Sequence, residues 1–190
     1  ITAHLDYGDC APCRDAHLRL EEMKDTYSNL LVDYEPILYN RTTPGALLRA
    51  INANKGAVCA EKLGYMAGYT ECNYFNTPFY GSLDINRMKA CITEAGGSSS
   101  EVRNTFVSCV QDKNSGAEGI LIQNTEAMHQ WNPLKYTPSF VFDCKYSIVG
   151  HGYLENILCS LHPELDCDLP EITLDVNAHT GGDENATIPL

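Results

Sequence analysis

His4-Leu5-Asp6-Tyr7-Gly8-Asp9-Cys10-Ala11-Pro12-Cys13 is the stretch that decides the fold of this chain. Residues 4–7 alternate polar and apolar as a short strand does, and Gly8-Asp9 then turns the chain. Leu18, Leu20 and Met23 give residues 14–24 an apolar face, so a helix is predicted to start at the two cysteines. Pro12 fits a first helical turn, where its missing N–H has no partner to lose. Residues 30–39 read as a second strand, which completes a βαβ unit with an expected right-handed crossover.

Working outward, residues 44–131 change to a helical period. Leu47, Leu48 and Ile51, then Val58, Cys59, Leu63 and Met66, recur at three- and four-residue intervals. Asn, Pro and Gly break the pattern over residues 74–83, and Gly96-Gly97-Ser98-Ser99-Ser100 breaks it again. Another helix is expected over residues 117–130. Residues 138–143 and 146–149 then predict a strand hairpin turning at Asp143-Cys144-Lys145, followed by a last helix over 151–161. The tail, residues 168–190, is acidic and without periodicity, which on composition reads as flexible.

The bulk composition sets the class. A chain of 190 residues, 44% hydrophobic and 20% charged, fits one globular domain with room for an insertion. No apolar run approaches the roughly 20 residues of a membrane span. Nine cysteines point to an oxidising compartment, and a chain beginning within a strand is expected to be processed. Asn40-Arg41-Thr42 and Asn185-Ala186-Thr187 are N-glycosylation triplets. The net charge of −12 disfavours nucleic acid and anionic membrane surfaces as partners.

Cys10-x-x-Cys13 carries the chemistry. The thiolate is the nucleophile in disulfide exchange, and a helix N-terminus stabilises it. Cys10 would attack a substrate disulfide, and Cys13, one turn on, would resolve the mixed disulfide. Arg14 and His17 could add positive charge on the same turn. Half of a zinc site or a plain structural disulfide are the bland readings; no second Cys-x-x-Cys and no His-x3-His supports zinc. Tyr136-Thr137-Pro138-Ser139 supplies the second signal, a proline before an apolar strand that could take a cis bond. His4, His17, His129, His151, His162 and His179 are scattered without metal-ligand spacing and are expected mostly at the surface. No metal and no cofactor are expected. The tyrosines, Tyr69 and Tyr74 among them, are expected on half-buried surface.

Together, the cysteine pair and the late proline resemble the thioredoxin superfamily. The resemblance implies an α/β, thioredoxin-like fold with a disulfide-bonded helical insertion at about residues 44–116 of a 1–167 domain. In that superfamily the proline loop holds the substrate strand, so Pro138 with Thr137 would face the cysteines. Tyr136 and Trp131, near that loop, are candidates for the wall of the substrate groove, with core or edge packing the alternative. The chain is further similar to the gamma-interferon-inducible lysosomal thiol reductase family, as a divergent member, over residues 4–167. Cys59, Cys72, Cys91 and Cys109 match that family's insertion cysteines, and Cys159 and Cys167 match its closing pair. Asn54-Lys55-Gly56-Ala57-Val58-Cys59 fits the end of its signature, while residues 41–53 hold no cysteine and no Gln-His-Gly.

The resemblance implies a secreted or lysosomal thiol–disulfide oxidoreductase reducing disulfide-containing proteins or peptides. An oxidase or isomerase of the same fold, and a secreted binding protein on the same scaffold, are the alternatives. Setting aside the redox pair leaves seven cysteines, an odd number. Two disulfides are expected among Cys59, Cys72, Cys91 and Cys109 in any of three pairings, with Cys159–Cys167 closing a small loop. Cys144 is left over as a buried free thiol, a homodimer bond or a redox-active extra.

Overall fold

The computed structural model describes residues 1–8, 10–38, 44–76, 84–132, 135–165, 167, 177–180 and 184–187. Two compact units emerge: a sheet unit of Ile1–Leu5, Pro12–Glu35 and Met128–Leu190, and a helical unit of Asp6–Ala11 and Pro36–Ala127. The class is mixed α/β.

The sheet unit is built on β1 (Thr2–Leu5), α1 (Ala11–Thr26), β2 (Asp33–Pro36), β3 (Ser139–Phe142), β4 (Tyr146–Val149) and α7 (Leu154–Leu161). Its strand order is β2-β1-β3-β4, extended by β5 (Asn177–Thr180) and β6 (Glu184–Thr187). The Ile1 amine donates to the Leu31 carbonyl, and the Ile1 carbonyl accepts from Asp33 N–H. One residue bonding two that flank its partner is the parallel pattern. β3 runs antiparallel to β1, pairing Thr2 with Val141, Ala3 with Phe140 and His4 with Ser139.

α1 buries Cys13, Ala16, His17, Leu20 and Met23. This stripe at intervals of three and four leaves out Leu18, which is 45% exposed, so the expected apolar face is corrected at that residue. The second strand is shorter than residues 30–39, and Leu31 is 83% exposed. β2 is the sheet edge, with only the four residues of β1 to pair against. Tyr39 lies outside the described residues. α7 begins at Leu154, after a turn through residues 151–153.

The expected hairpin forms between β3 and β4, with Phe142 opposite Tyr146. Lys145 N–H donates to the Phe142 carbonyl, and Asp143 and Cys144 both have positive φ, 50° and 56°. That is a turn that favours Asn and Gly, so Cys144 sits there at a conformational cost. The tail departs from its expected lack of structure. β5 and β6 pair with each other, and Tyr146 of β4 is opposite Ala178.

The helical unit holds α2 (Pro44–Lys62), α3 (Met66–Glu71), a π-helical turn (Cys72–Asn76), α4 (Ile85–Glu94), α5 (Ser100–Gln111) and most of α6 (Ala117–Trp131). Asp84 caps α4 by accepting from Arg87 N–H at 2.9 Å, and Ser99 caps α5 by accepting from Val102 N–H at 3.1 Å. Gly96, with φ of 104°, ends α4 at the predicted Gly-Gly break. Tyr69 contradicts the half-buried expectation: it is fully buried against Phe106, and burial raises its pKa. No helix among the described residues is long and apolar enough to cross a membrane.

Of the three pairings open to the insertion cysteines, the molecule adopts Cys59–Cys109 and Cys72–Cys91. The first spans 50 residues, for which loop-closure entropy gives about 4 kcal/mol of stabilisation. Cys159–Cys167 spans 8, worth about 2.5 kcal/mol on the same basis. The double substitution C59A/C109A should therefore destabilise the chain more than C159A/C167A, by roughly 1–2 kcal/mol. Urea unfolding of the two variants beside the native chain gives the comparison.

Candidate redox site

β1 leads toward the Cys10-x-x-Cys13 motif. Cys10 immediately precedes α1 and Cys13 is its third residue. Both are disulfide-bonded, giving four pairs with those above. Cys10 is 8% exposed and Cys13 0%, so Cys10 is the sulfur more open to approach.

The charges around this turn differ from expectation. Arg14 is countered by Asp15 at 2.9 Å. His17 is buried and tilted against the Tyr34 ring at 5.4 Å. Burial pushes its pKa below the ordinary value, Glu21 opposing this and Lys24 adding to it. His17 is therefore neutral at pH 7 and supplies no cation. The α1 N-terminus, whose first turn holds no acidic residue, favours a Cys10 thiolate.

The turn between β1 and the cysteines is tied into the helical unit by buried polar side chains. Asp6 is fully buried, and its carboxylate accepts from Gly8 N–H at 2.8 Å and from the Asn54 amide at 2.7 Å. Asn54 also accepts from Tyr7 N–H at 2.9 Å and donates to the Ala50 carbonyl at 2.8 Å. Asn73 donates to the Tyr7 carbonyl, and the Tyr7 ring stacks on Tyr74 with centroids 5.1 Å apart. Gly8 is required here: a Cβ on it would come within 2.6 Å of the Ala50 backbone. Tyr7 and Tyr74 are thus buried, another departure from the expected half-buried tyrosines.

Thr137-Pro138 is a cis peptide, as expected. Pro138 immediately precedes Ser139, whose partner His4 lies near the end of β1 that leads to the cysteines. Asn132, buried, shapes the approach to it. Its amide donates to the Tyr136 carbonyl at 2.7 Å, and its Oδ1 accepts from Lys135 N–H at 3.1 Å. The Pro138 carbonyl accepts from Gly150 N–H. Tyr136 is 53% exposed, Thr137 is half-buried, and Trp131 is half-buried with its carbonyl accepting from the Ser147 hydroxyl.

Cys144 corrects the expectation of a buried thiol: it is free and exposed at the hairpin turn. Beside it, His162 meets Glu164 at 2.9 Å and Asp143 at 2.8 Å, and the hydrogen bonds to Glu164 and Asp143 raise its pKa. Two histidines depart from the expected surface positions, His4 and His17 both being buried. His4 Nδ1 lies 3.1 Å from the Glu35 carboxylate. Asn40 lies outside the described residues, and Asn185 falls within β6. Among the described residues no three His, Cys, Asp or Glu side chains are grouped to hold a metal.

Compared with known proteins, the chain matches no family model and no curated sequence. The residues that sequence reasoning missed are Asp6, Tyr7, Asn73, Tyr74 and Asn132, together with the tying role of Asn54. Asn54→Ala would leave Tyr7 N–H without its acceptor and the Asp6 carboxylate short of a donor, at a cost of about 2–3 kcal/mol. Urea denaturation should find that loss.

His17 and His162 bend the pH profile of stability in opposite directions. A base with a lowered folded pKa binds its proton more readily when unfolded, so the His17 contribution is present above the ordinary value of 6.5 and lost as pH falls. The raised His162 contributes in full below 6.5 and fades as pH rises through its folded value. His17→Phe should make the acid-side fall in stability shallower, and His162→Ala should remove part of the loss on the alkaline side. Urea midpoints from pH 4.5 to pH 8 measure both.

Proposed function

We propose that the chain is a thiol–disulfide oxidoreductase with a thioredoxin-like fold, reducing disulfides of protein or peptide substrates in an oxidising compartment, secretory or lysosomal. The observation that carries the reading is the disulfide-bonded Cys10/Cys13 pair at the start of α1, with cis-Pro138 at the end of the neighbouring strand's register. The strand order β2-β1-β3-β4, with β1 and β2 parallel and β3 antiparallel to β1, supports the fold reading. Four cysteine pairs support the compartment.

In the reduced enzyme, the Cys10 thiolate attacks one sulfur of the substrate disulfide. A Cys10–substrate S–S bond forms and the substrate S–S bond breaks, the departing sulfur leaving as a thiolate that takes a proton from solvent. The Cys13 thiolate then attacks Cys10 Sγ, forming Cys10–Cys13 and expelling the second substrate sulfur as a thiolate. Two electrons pass to the substrate, and a small thiol must regenerate the pair. The fully buried Cys13 is reached only by its neighbour, which suits a resolving sulfur. An extended substrate segment at the Thr137-Pro138 turn would be held by main-chain hydrogen bonds, with Tyr136 and Trp131 offering contact surface.

Pre-reduced protein mixed with denatured insulin should show turnover at pH 4.5 and at pH 7. Cys10→Ser should abolish it at both, and Cys13→Ser should accumulate mixed disulfides visible on non-reducing gels. Turnover that survives Cys10→Ser, or none in the native chain at either pH, would overturn the assignment.

A further inference from the structure

Glu155 and Cys159 stand one turn apart on α7 and share a face. Arg19 of α1 pairs with Glu155, and the hydroxyl of Tyr27, just past the end of α1, donates to the same carboxylate at 2.8 Å. That hydroxyl also lies 3.3 Å from Cys167 Sγ and 3.6 Å from Cys159 Sγ. It has one proton to give. A disulfide sulfur is a weak, uncharged acceptor, so in the oxidised molecule the proton goes to the carboxylate. A thiolate is a far stronger acceptor, and once the S–S bond opens the proton turns to Cys167 while Glu155 keeps Arg19. The hydroxyl thus has a second position that matters only to a cysteine set free. Burial and the bond to Glu155 raise the Tyr27 pKa, so the phenol keeps its proton where thiolates form.

The two bonds of the helical unit have no such arrangement. Cys72 and Cys91 are both buried, and the half-buried Cys109 is joined to Cys59, which is 0% exposed. Among the described residues no hydrogen bond reaches any of these four sulfurs. Attack on Cys109 would therefore expel Cys59 as a thiolate into an apolar interior with no donor to meet it. Cys159 and Cys167, by contrast, are both half-buried, so an incoming sulfur can reach the bond and the departing one finds a donor.

We propose that Cys159–Cys167 is a second thiol-exchange site, opened by a small monothiol such as glutathione, with Tyr27 as donor to the departing Cys167. The glutathione thiolate attacks Cys159 Sγ: a Cys159–glutathione bond forms, the Cys159–Cys167 bond breaks, and its electron pair leaves on Cys167. A second glutathione thiolate attacks the glutathione sulfur of that mixed disulfide and frees Cys159. Two glutathiones become one disulfide, and their two electrons and two protons pass to Cys159 and Cys167. The site is independent of Cys10 and Cys13, so the test removes them together with the free thiol of Cys144. C10S/C13S/C144S is incubated at pH 7 with millimolar glutathione, quenched in acid, alkylated and mapped by mass spectrometry. Cys159 and Cys167 should open at least tenfold faster than Cys59–Cys109 and Cys72–Cys91, with the glutathione adduct on Cys159. Tyr27→Phe in the same background should slow opening at least tenfold, the worth of one hydrogen bond to a charged group, and spread the adduct over both cysteines. Opening no faster than that of Cys59–Cys109, an adduct on Cys167, or an unchanged rate and adduct position in Tyr27→Phe would overturn the proposal. Should either variant fail to fold, the adduct position and opening order in the native chain, read peptide by peptide, decide it.

Discussion

Asn54 holds the turn that leads into the Cys10-x-x-Cys13 motif. Its side chain meets the Asp6 carboxylate and the Tyr7 N–H at once, both fully buried, from the middle of a helix 47 and 48 residues away in sequence. A buried carboxylate with too few donors is expensive, and a buried amide N–H without an acceptor costs comparably. One primary amide answers both needs, because it carries a donor and an acceptor on the same planar group. Gly8 then has to be glycine, since the backbone of the same helix at Ala50 leaves no room for a Cβ. The turn, its glycine and the helix position are therefore one constraint, and the placement of Cys10 follows from it.

The electrostatics of the first turn of α1 follow from burial more than from charge count. Arg14 and His17 both look cationic in sequence, yet one faces Asp15 and the other is kept neutral by the packing that buries it. The helix terminus contributes a partial positive charge, about half an elementary charge. It does not titrate, so its effect on a sulfur at the N-cap position is the same in acid as at neutrality. The proposed chemistry thus depends on a field that pH does not switch off, while the overall negative charge of the chain shrinks as its carboxylates are protonated.

What could be read from the sequence was local. The turn signals placed the hairpin at residues 143–145 and the proline before an apolar strand proved to be cis, whereas the strand expected over residues 4–7 runs over Thr2–Leu5. Leu18 misled because a helix face is set by which side its surroundings cover, and the buried stripe runs through Cys13, Ala16, His17, Leu20 and Met23. The extent of β2 was over-read because a strand at an edge is limited by its partner's length. Asp6, Asn73 and Asn132 escaped notice for a different reason. Their significance lies in contacts with distant or irregular backbone, and a buried amide has the same letter in a sequence as an exposed one. The insertion pairing was equally beyond reach, since four cysteines leave three connectivities whatever their spacing.

On the proposed function, the chain must keep its own structural disulfides from entering the reaction. Attack on a disulfide needs a thiolate to reach a sulfur, so burial separates an inert bond from a reactive one. Cys59, Cys72 and Cys91 are buried, which shields both bonds of the helical unit although each lies in the chain that carries the redox pair. Cys159–Cys167 is half-buried, with the Tyr27 hydroxyl 3.3 Å from Cys167 Sγ and 3.6 Å from Cys159 Sγ. That hydroxyl also donates to Glu155, placing a carboxylate near the bond. Arg19 pairs with the same carboxylate, so this bond lies beside an ion pair and is the more open of the three to an approaching thiolate.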